Sequence, residues 1–173
     1  MQIKFENFES KQIMNFYLPQ NIAPAGTLFV QNLLQKQDTL ANRIIDIDGV
    51  ERCMIAPEVI SVRYEPAKFE NAKALVLAEI DDFLSENRFF AVPDGNASAQ
   101  EQAESVADAF IRPTLNRDGG DIEIYSINDG VLELSFTGHC AGCPYAQNTL
   151  QNVIVRTFQK YMPQIREVRL KGA

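Results

Sequence analysis

The chain has 173 residues, 46% of them hydrophobic and 23% charged, which is typical of a globular protein with two small domains. The net charge of -7, without a cluster of Lys and Arg, argues against nucleic-acid binding. No apolar run is long enough to span a bilayer, and the first nine residues carry acids where targeting signals avoid them. We therefore expect a cytoplasmic protein with no membrane partner.

The first predicted domain, residues 1–90, mixes strands and helices. Its helices are predicted where apolar residues recur at helical spacing, and its strands where β-branched and aromatic residues cluster between turn residues. In chain order the pattern predicts a strand over 13–18, a helix from a cap at Asp38 to Gly49, an antiparallel hairpin of strands 50–55 and 59–64, and a helix that opens at Asn71. This part of the chain is therefore predicted to be α+β.

Residues 91–100 concentrate Pro, Gly, Asn and Ser, and we expect them to form a flexible linker between two domains. The second predicted domain, residues 101–173, has the element order α-β-β-α-β, with two helices on one face of a three-stranded sheet. Its first helix should kink or end near Pro113, and Asn128-Asp129-Gly130 predicts a hairpin turn.

The last helix should begin at Pro144, because proline suits the first turn of a helix. The stripe of Ala146, Leu150, Val153 and Ile154 along this helix is predicted to lie in the core. The final strand is expected over 165–170.

Cys140 and Cys143 are the most informative candidate site residues. They lie in Thr137-Gly-His-Cys-Ala-Gly-Cys-Pro-Tyr145, between a predicted strand and a predicted helix. Structural zinc and iron–sulfur clusters usually need four soft ligands, so two cysteines must be supplemented by other residue types or by a second copy of the chain. In a reducing compartment, such a pair favours metal binding or redox chemistry over a structural disulfide.

Three interpretations of this loop remain open from the residues alone. A metal site is favoured, because small residues let the backbone approach an inorganic core and Pro144 places both thiols at the positive end of a helix. A thiol-disulfide oxidoreductase is an alternative, although the hairpin before the motif does not match the thioredoxin-like element order. The loop could also be polar without any chemistry.

Other candidate residues have simpler interpretations. His139, the single histidine, is predicted to be a loop residue that points away from the sulfurs rather than a ligand. Asp118-Gly-Gly-Asp121 is predicted to end a helix and form a tight turn, since it lacks the spacing of a calcium loop. Cys53 is expected to be a buried apolar residue, and no Ser/His/Asp set can be assembled, so we expect no enzyme.

Four short motifs in the second half of the chain fit one known family. They are Ile111-Arg-Pro113, Asp118-Gly-Gly-Asp121, Gly138-x-Cys-x-x-Cys-Pro144 and Thr149-Leu150. The stretch from about Ala103 to Gly172 resembles the C-terminal domain of NifU, the Nfu domain. Residues 27–86, with Ile47-Asp-Gly-Val50 at a predicted helix end, resemble more loosely the N-terminal domain of Nfu-type scaffolds.

This resemblance implies an iron–sulfur cluster scaffold or carrier rather than an enzyme. It implies a homodimer in which Cys140 and Cys143 of each chain ligate one [4Fe-4S] cluster shared between the two subunits. The cluster would come from upstream cluster-assembly proteins and pass to apo iron–sulfur proteins, with the N-terminal domain as a targeting module. A zinc-bridged dimer would use the same four thiolates, and the sequence does not separate zinc from iron.

Overall fold

Two separate sheets organise the chain, one in each of two units. The computed structural model describes residues 2–24, 26–34, 39–86, 96–139, 141 and 144–171, and the chain divides into units 1–97 and 98–173. Each unit combines helices with a sheet, which confirms the predicted α+β class.

The first unit contains a five-stranded sheet and two α-helices within the described residues. The elements are β1 (Lys4–Phe8), β2 (Ile13–Tyr17), β3 (Leu28–Val30), α1 (Leu40–Ile45), β4 (Val50–Ala56), β5 (Val59–Tyr64) and α2 (Phe69–Ser85). The strand order is β1-β2-β5-β4-β3, and every neighbouring pair is antiparallel. The core lies between alternate strand residues and the apolar faces of both helices, including Phe16, Ile55, Ile44, Val76 and Ile80.

Several predicted boundaries in this unit were wrong, although the hairpin of β4 and β5 is confirmed. Strands β1 and β3 were not predicted; they are short and lie at the two edges of the sheet. Helix α1 ends at Ile45 rather than Gly49, and its N-cap is Thr39, whose Oγ1 accepts a hydrogen bond from Asn42 N at 3.1 Å. The predicted cap, Asp38, lies outside the described residues.

Helix α2 begins two residues before the predicted start at Asn71. A turn of 3₁₀-helix over Pro66–Lys68 leads directly into it, so proline ends strand β5 and also starts the helical segment. The prediction that Val76, Ile80, Phe83 and Leu84 share its buried face is confirmed.

The second unit has the predicted order of helices and strands. Its elements are α3 (Ala99–Val106), a π-helical segment (Ala107–Ile111), α4 (Arg112–Arg117), β6 (Gly120–Asn128), β7 (Val131–Gly138), α5 (Pro144–Tyr161) and β8 (Glu167–Leu170). Strand β7 lies in the centre of the sheet, antiparallel to β6 and parallel to β8. Asp129 and Gly130 have φ values of 48° and 77°, as a two-residue type I′ turn requires.

The interruption predicted near Pro113 is a π-helical segment that ends at Ile111. Proline has no N–H to donate within a helix, so the regular α-helical hydrogen bonds are interrupted there and the winding changes just before it. Within the π-helical segment, the ring of Phe110 stacks on Tyr161 at the end of α5, with centroids 4.2 Å apart.

Two predictions for the second unit need correction. Ala99 and Gln100 belong to α3, which Ser98 and Glu101 cap reciprocally, so the range 91–100 is not a linker throughout. Residues 91–95 lie outside the described residues. Of the stripe predicted to be core, Ile154 is buried, Leu150 is half-buried and Val153 is 56% exposed, because the buried face of α5 runs through Ile154 and Phe158. The side chain of Ala146 lies outside the described residues.

Among the helices that the structure describes, none has both the length and the apolar composition needed to cross a bilayer.

Candidate functional site

The start of the cysteine loop, here residues 138–143, is described at Gly138, His139 and Ala141. Gly138 ends β7 opposite Gly120 and has a φ of 63°, in the left-handed region. A Cβ atom at Gly138 would overlap the carbonyl oxygen of Gly119. Both the backbone angle and the close approach therefore require glycine here.

Gly119 is the residue whose carbonyl oxygen lies against Gly138. The helix α4 ends at Arg117, and Gly119 follows with a φ of 75°, which confirms that Asp118-Gly-Gly-Asp121 is a helix end and turn. The N–H of His139 donates to the Gly119 carbonyl oxygen at 3.2 Å. A Cβ on Gly119 would lie 2.9 Å from Nδ1 of His139, so the imidazole lies directly against this glycine.

A buried arginine connects the helices of the second unit to the strand that follows this turn. Arg112 is only 8% exposed, and its guanidinium donates to Glu104 Oε2 at 2.6 Å, Asp108 Oδ1 at 2.8 Å, Asp121 Oδ1 at 3.1 Å and Ile122 O at 3.1 Å. Burial opposes the charged guanidinium, but the charges of Asp108 and Glu104 outweigh this effect and raise the pKa of Arg112. The arginine therefore stays charged and holds α3, α4 and β6 together.

This arrangement connects Arg112 of the Ile111-Arg-Pro113 motif to Asp121 of the Asp118-Gly-Gly-Asp121 turn. Asp121 lies next to Gly120 and opposite Thr137, so Arg112 fixes the first residues of β6. Gly120 pairs with Gly138, and the carbonyl oxygen of Gly119, just before β6, accepts the N–H of His139. The spacing of Glu104, Asp108 and Arg112 at four-residue steps on one helical face was the sequence signal for the network.

Cys140, Gly142 and Cys143 lie outside the described residues, so their role as ligands remains a prediction. Between the two cysteines, Ala141 N donates to the carbonyl oxygen of Gly138 at 3.2 Å. Directly after Cys143, α5 begins at Pro144 as predicted. Within the part of the chain that the structure describes, no three His, Cys, Asp or Glu side chains are grouped so that they could hold a metal ion.

Cys53 is separate from this site and lies in β4 of the first unit. Its side chain is 1% exposed and belongs to the apolar core, as predicted. Burial raises the pKa of the Cys53 thiol from 9.0 to about 12. The thiol is therefore protonated and shielded from solvent at neutral pH, which is unsuitable for a metal ligand or a nucleophile.

Comparison with known proteins shows which family this chain is similar to. A sequence model of the NifU-like domain matches residues 104–169. The chain is 32% identical over 140 residues to the human protein named NFU1 iron-sulfur cluster scaffold homolog, mitochondrial, covering 75% of this chain and 55% of that protein. The protein of the same name from Drosophila persimilis is 29% identical over 140 residues, covering 75% of this chain and 50% of its own length.

The chain spans about half the length of the curated relatives it matches. A crystal structure of protein SAV1430 from Staphylococcus aureus aligns with 46% of this chain and 99% of its own, at 21% identity and a TM-score of 0.40. The domain match contains the Arg112 network, the glycine turn and the cysteine loop. The chain therefore belongs to the Nfu-type family of proteins with a NifU-like domain.

Proposed function

We propose that this protein is an iron–sulfur cluster scaffold and carrier, and not an enzyme. In this proposal, Cys140 and Cys143 from each of two chains ligate one bridging [4Fe-4S] cluster, which is later transferred to apo-proteins. The observation that supports it best is the glycine contact at the start of the cysteine loop. Gly119 and Gly138 meet there without side chains, within a domain that matches the NifU-like family.

The stoichiometry follows from the ligands that the chain offers. Four thiolates usually hold a [4Fe-4S] cluster, and two chains related by a two-fold axis supply four from two Cys-x-x-Cys motifs. Cys53 is buried in the first unit with a raised pKa, so it is a poor source of a further ligand. The start of α5 right after Cys143 favours the negative charge of thiolates and of a thiolate-bound cluster.

Transfer fits this arrangement as a ligand exchange. A thiolate of the acceptor binds an iron as one cysteine thiolate of the scaffold leaves it, so no electron is gained or lost. Each scaffold cysteine takes up a proton when it is released from the cluster. A site held by two short loops at a subunit interface allows the ligands to be replaced one at a time.

The partners and the compartment are also part of the proposal. The donors would be upstream cluster-assembly proteins and the recipients apo iron–sulfur proteins. We propose the cytoplasm as the compartment, because a reducing compartment would keep Cys140 and Cys143 as thiols that can bind a cluster. The relatives compared above are named as mitochondrial proteins, so fractionation of the source cells, with an antibody to this chain, tests the compartment directly.

Anaerobic purification and reconstitution with iron and sulfide test the proposed cofactor. We expect a brown protein with the broad visible absorption of a [4Fe-4S] cluster, lost in Cys140→Ser and in Cys143→Ser. Cys53→Ala is the matched control and should keep the cluster. A colourless protein that holds zinc would favour the structural dimer, and insulin reduction that depends on both cysteines would favour the oxidoreductase.

A further inference from the structure

The part of the chain around the cysteine loop has no side chain with a fixed charge. Between Glu133 and Arg156 the sequence contains no Asp, Glu, Lys or Arg, although 23% of the whole chain is charged. This interval includes the end of β7, the cysteine loop and about three turns of α5. The centres of protein interfaces are depleted of charged residues, so the chain next to Cys140 and Cys143 has the composition of a contact surface.

Part of this interval is exposed on α5. The side chains of Asn148, Asn152 and Val153 are exposed, and Leu150 beside them is half-buried. Val153 is 56% exposed although it is apolar. With a rise of about 1.5 Å per residue, these side chains lie within about 14 Å of the start of α5 at Pro144. We name Asn148, Asn152 and Val153 the α5 patch.

The chemistry of the α5 patch suits contact with an identical patch. In a two-fold dimer the same surface of both chains meets, so a charged patch would face its own charge and be repelled. An amide side chain both donates and accepts hydrogen bonds, so Asn148 and Asn152 can bind their own copies, whereas a carboxylate only accepts and an ammonium group only donates. The apolar side chain of Val153 would be removed from water in the same contact.

The charged side chains of α5 lie beyond the patch. Arg156 and Lys160 are both exposed and belong to the second half of the helix. In a dimer whose two cysteine loops meet at the two-fold axis, these cations would lie further from the axis, where solvent and salt screen their repulsion. One chain provides two of the four thiolates that a cluster usually needs, so in the proposed function a second copy approaches this end of α5.

We propose that the α5 patch is the surface on which a second copy of this chain docks, patch against patch across a two-fold axis. The contact brings the two cysteine loops together, so the metal-free chain pairs weakly and the cluster-loaded chain pairs tightly. This inference rests on the proposed function for the shared cluster, but the contact between the two patches needs no cluster.

NMR of the reduced, metal-free chain tests the contact without a cluster. As the chain concentration is raised from micromolar to millimolar, we expect the amide signals of Asn148, Asn152 and Val153 to shift, while that of Ile60 in β5 keeps its position. Val153→Glu should weaken the self-association at least about tenfold, since two like charges then face each other. Gln159→Glu is the matched control, because it adds the same charge to an exposed residue in the last turn of α5, and it should leave the self-association unchanged.

Mixing opposite charges tests the two-fold geometry. The Val153→Glu and Val153→Lys proteins should each pair weakly alone, and an equal mixture should form mixed pairs at least about tenfold more tightly, because unlike charges then meet. An isotope label on one chain distinguishes mixed pairs from identical pairs in native mass spectrometry. If urea denaturation shows that either variant does not fold, Asn152→Glu and Asn152→Lys replace the pair, since Asn152 is also exposed.

Amide signals that do not move with concentration, or a mixture that pairs no better than its components, would overturn the proposal. Unchanged pairing of Val153→Glu together with slower cluster transfer to an apo-ferredoxin would mean that an acceptor protein docks on the patch, which also overturns it. Failure of the natural protein to hold any cluster would overturn the proposed function and leave the concentration series unaffected.

Discussion

The main-chain N–H of His139 donates a hydrogen bond of 3.2 Å to the carbonyl oxygen of Gly119. The residue before Cys140 is thus held by the turn that ends α4. The same carbonyl oxygen lies where a Cβ on Gly138 would be. The position of the cysteine loop therefore depends on two glycines that are 19 positions apart in the sequence.

Replacing Gly138 by alanine should damage the site more than it damages the fold. The substitution places a Cβ against Gly119 O and forces alanine into a positive φ, so we expect a loss of about 1–3 kcal/mol in the free energy of unfolding. Urea denaturation measures this loss, and iron content after reconstitution measures the site. We expect little or no cluster in Gly138→Ala.

Gly130→Ala is the matched control for this experiment. Gly130 also has a positive φ, and a Cβ there would lie 2.8 Å from Gln164 O, at the far end of the hairpin. It should lose similar stability and still bind the cluster. If both variants bind the cluster equally well, the glycine contact does not position the loop.

Arg112→Met should be the most destabilising single change in the second unit. It leaves Asp108, which is 3% exposed, and two further carboxylates without their shared cation, and breaking a buried ion pair costs about 3–5 kcal/mol. Arg112→Lys should lose less, because lysine keeps the charge but cannot donate to several partners as a planar fork does. Urea denaturation measures both variants.

Arg117→Met provides the comparison for the Arg112 network. Arg117 lies in the same helix, α4, but is exposed, so its loss should change stability by no more than about 0.5 kcal/mol. An Arg112→Met protein as stable as Arg117→Met would mean that the network does not hold the helices to β6.

Cys53 should resist thiol reagents in the native protein and make stability depend on pH in the alkaline range. Its pKa is 9.0 when exposed and about 12 when buried, so folding favours the protonated thiol. This contribution is fully present below pH 9 and is lost as the pH rises toward 12, by up to about 1.4 kcal/mol per pH unit. Comparing Cys53→Ala with the natural protein by urea denaturation at several alkaline pH values isolates it.

A simple labelling experiment checks the same cysteine. In apo-protein at neutral pH, Cys140 and Cys143 should react with iodoacetamide while Cys53 does not, until denaturant is added. Rapid labelling of Cys53 in the folded protein would show that its side chain in β4 is accessible to solvent, which contradicts its burial in the core.

The core of the fold could be predicted from the sequence because its signals are local. Strands β4 and β5, the hairpin turn at Asp129 and Gly130, and the start of α5 at Pro144 each follow from a short pattern of residues. The edge strands β1 and β3 were missed because they are short and their pairing is set by neighbours distant in sequence. The boundary of α3 was missed because Ser98 looked like a linker residue, although Glu101 makes it a helix cap.

The cysteine motif of the candidate site could be predicted from the sequence, but the residues that support its loop could not. Cys140 and Cys143 stand out in the sequence, whereas the support for their loop comes from Arg112, Asp121 and Gly119, whose contacts appear only when α4 and β6 meet. Val153 was wrongly predicted to be core, because helical spacing alone does not show which apolar residues at the border of a helix face are covered by neighbouring elements. Its exposure is set by the packing of Ile154 and Phe158, not by its own apolar character.

Two chains are proposed to share one cluster through Cys140 and Cys143, and native mass spectrometry of the anaerobically reconstituted protein tests this sharing most directly. We expect a species of two chains with one [4Fe-4S] cluster, about four irons in total, that is absent from the Cys140→Ser and Cys143→Ser proteins. A single chain that carries the whole cluster, or a dimer that keeps it after both cysteines are replaced, would contradict the account.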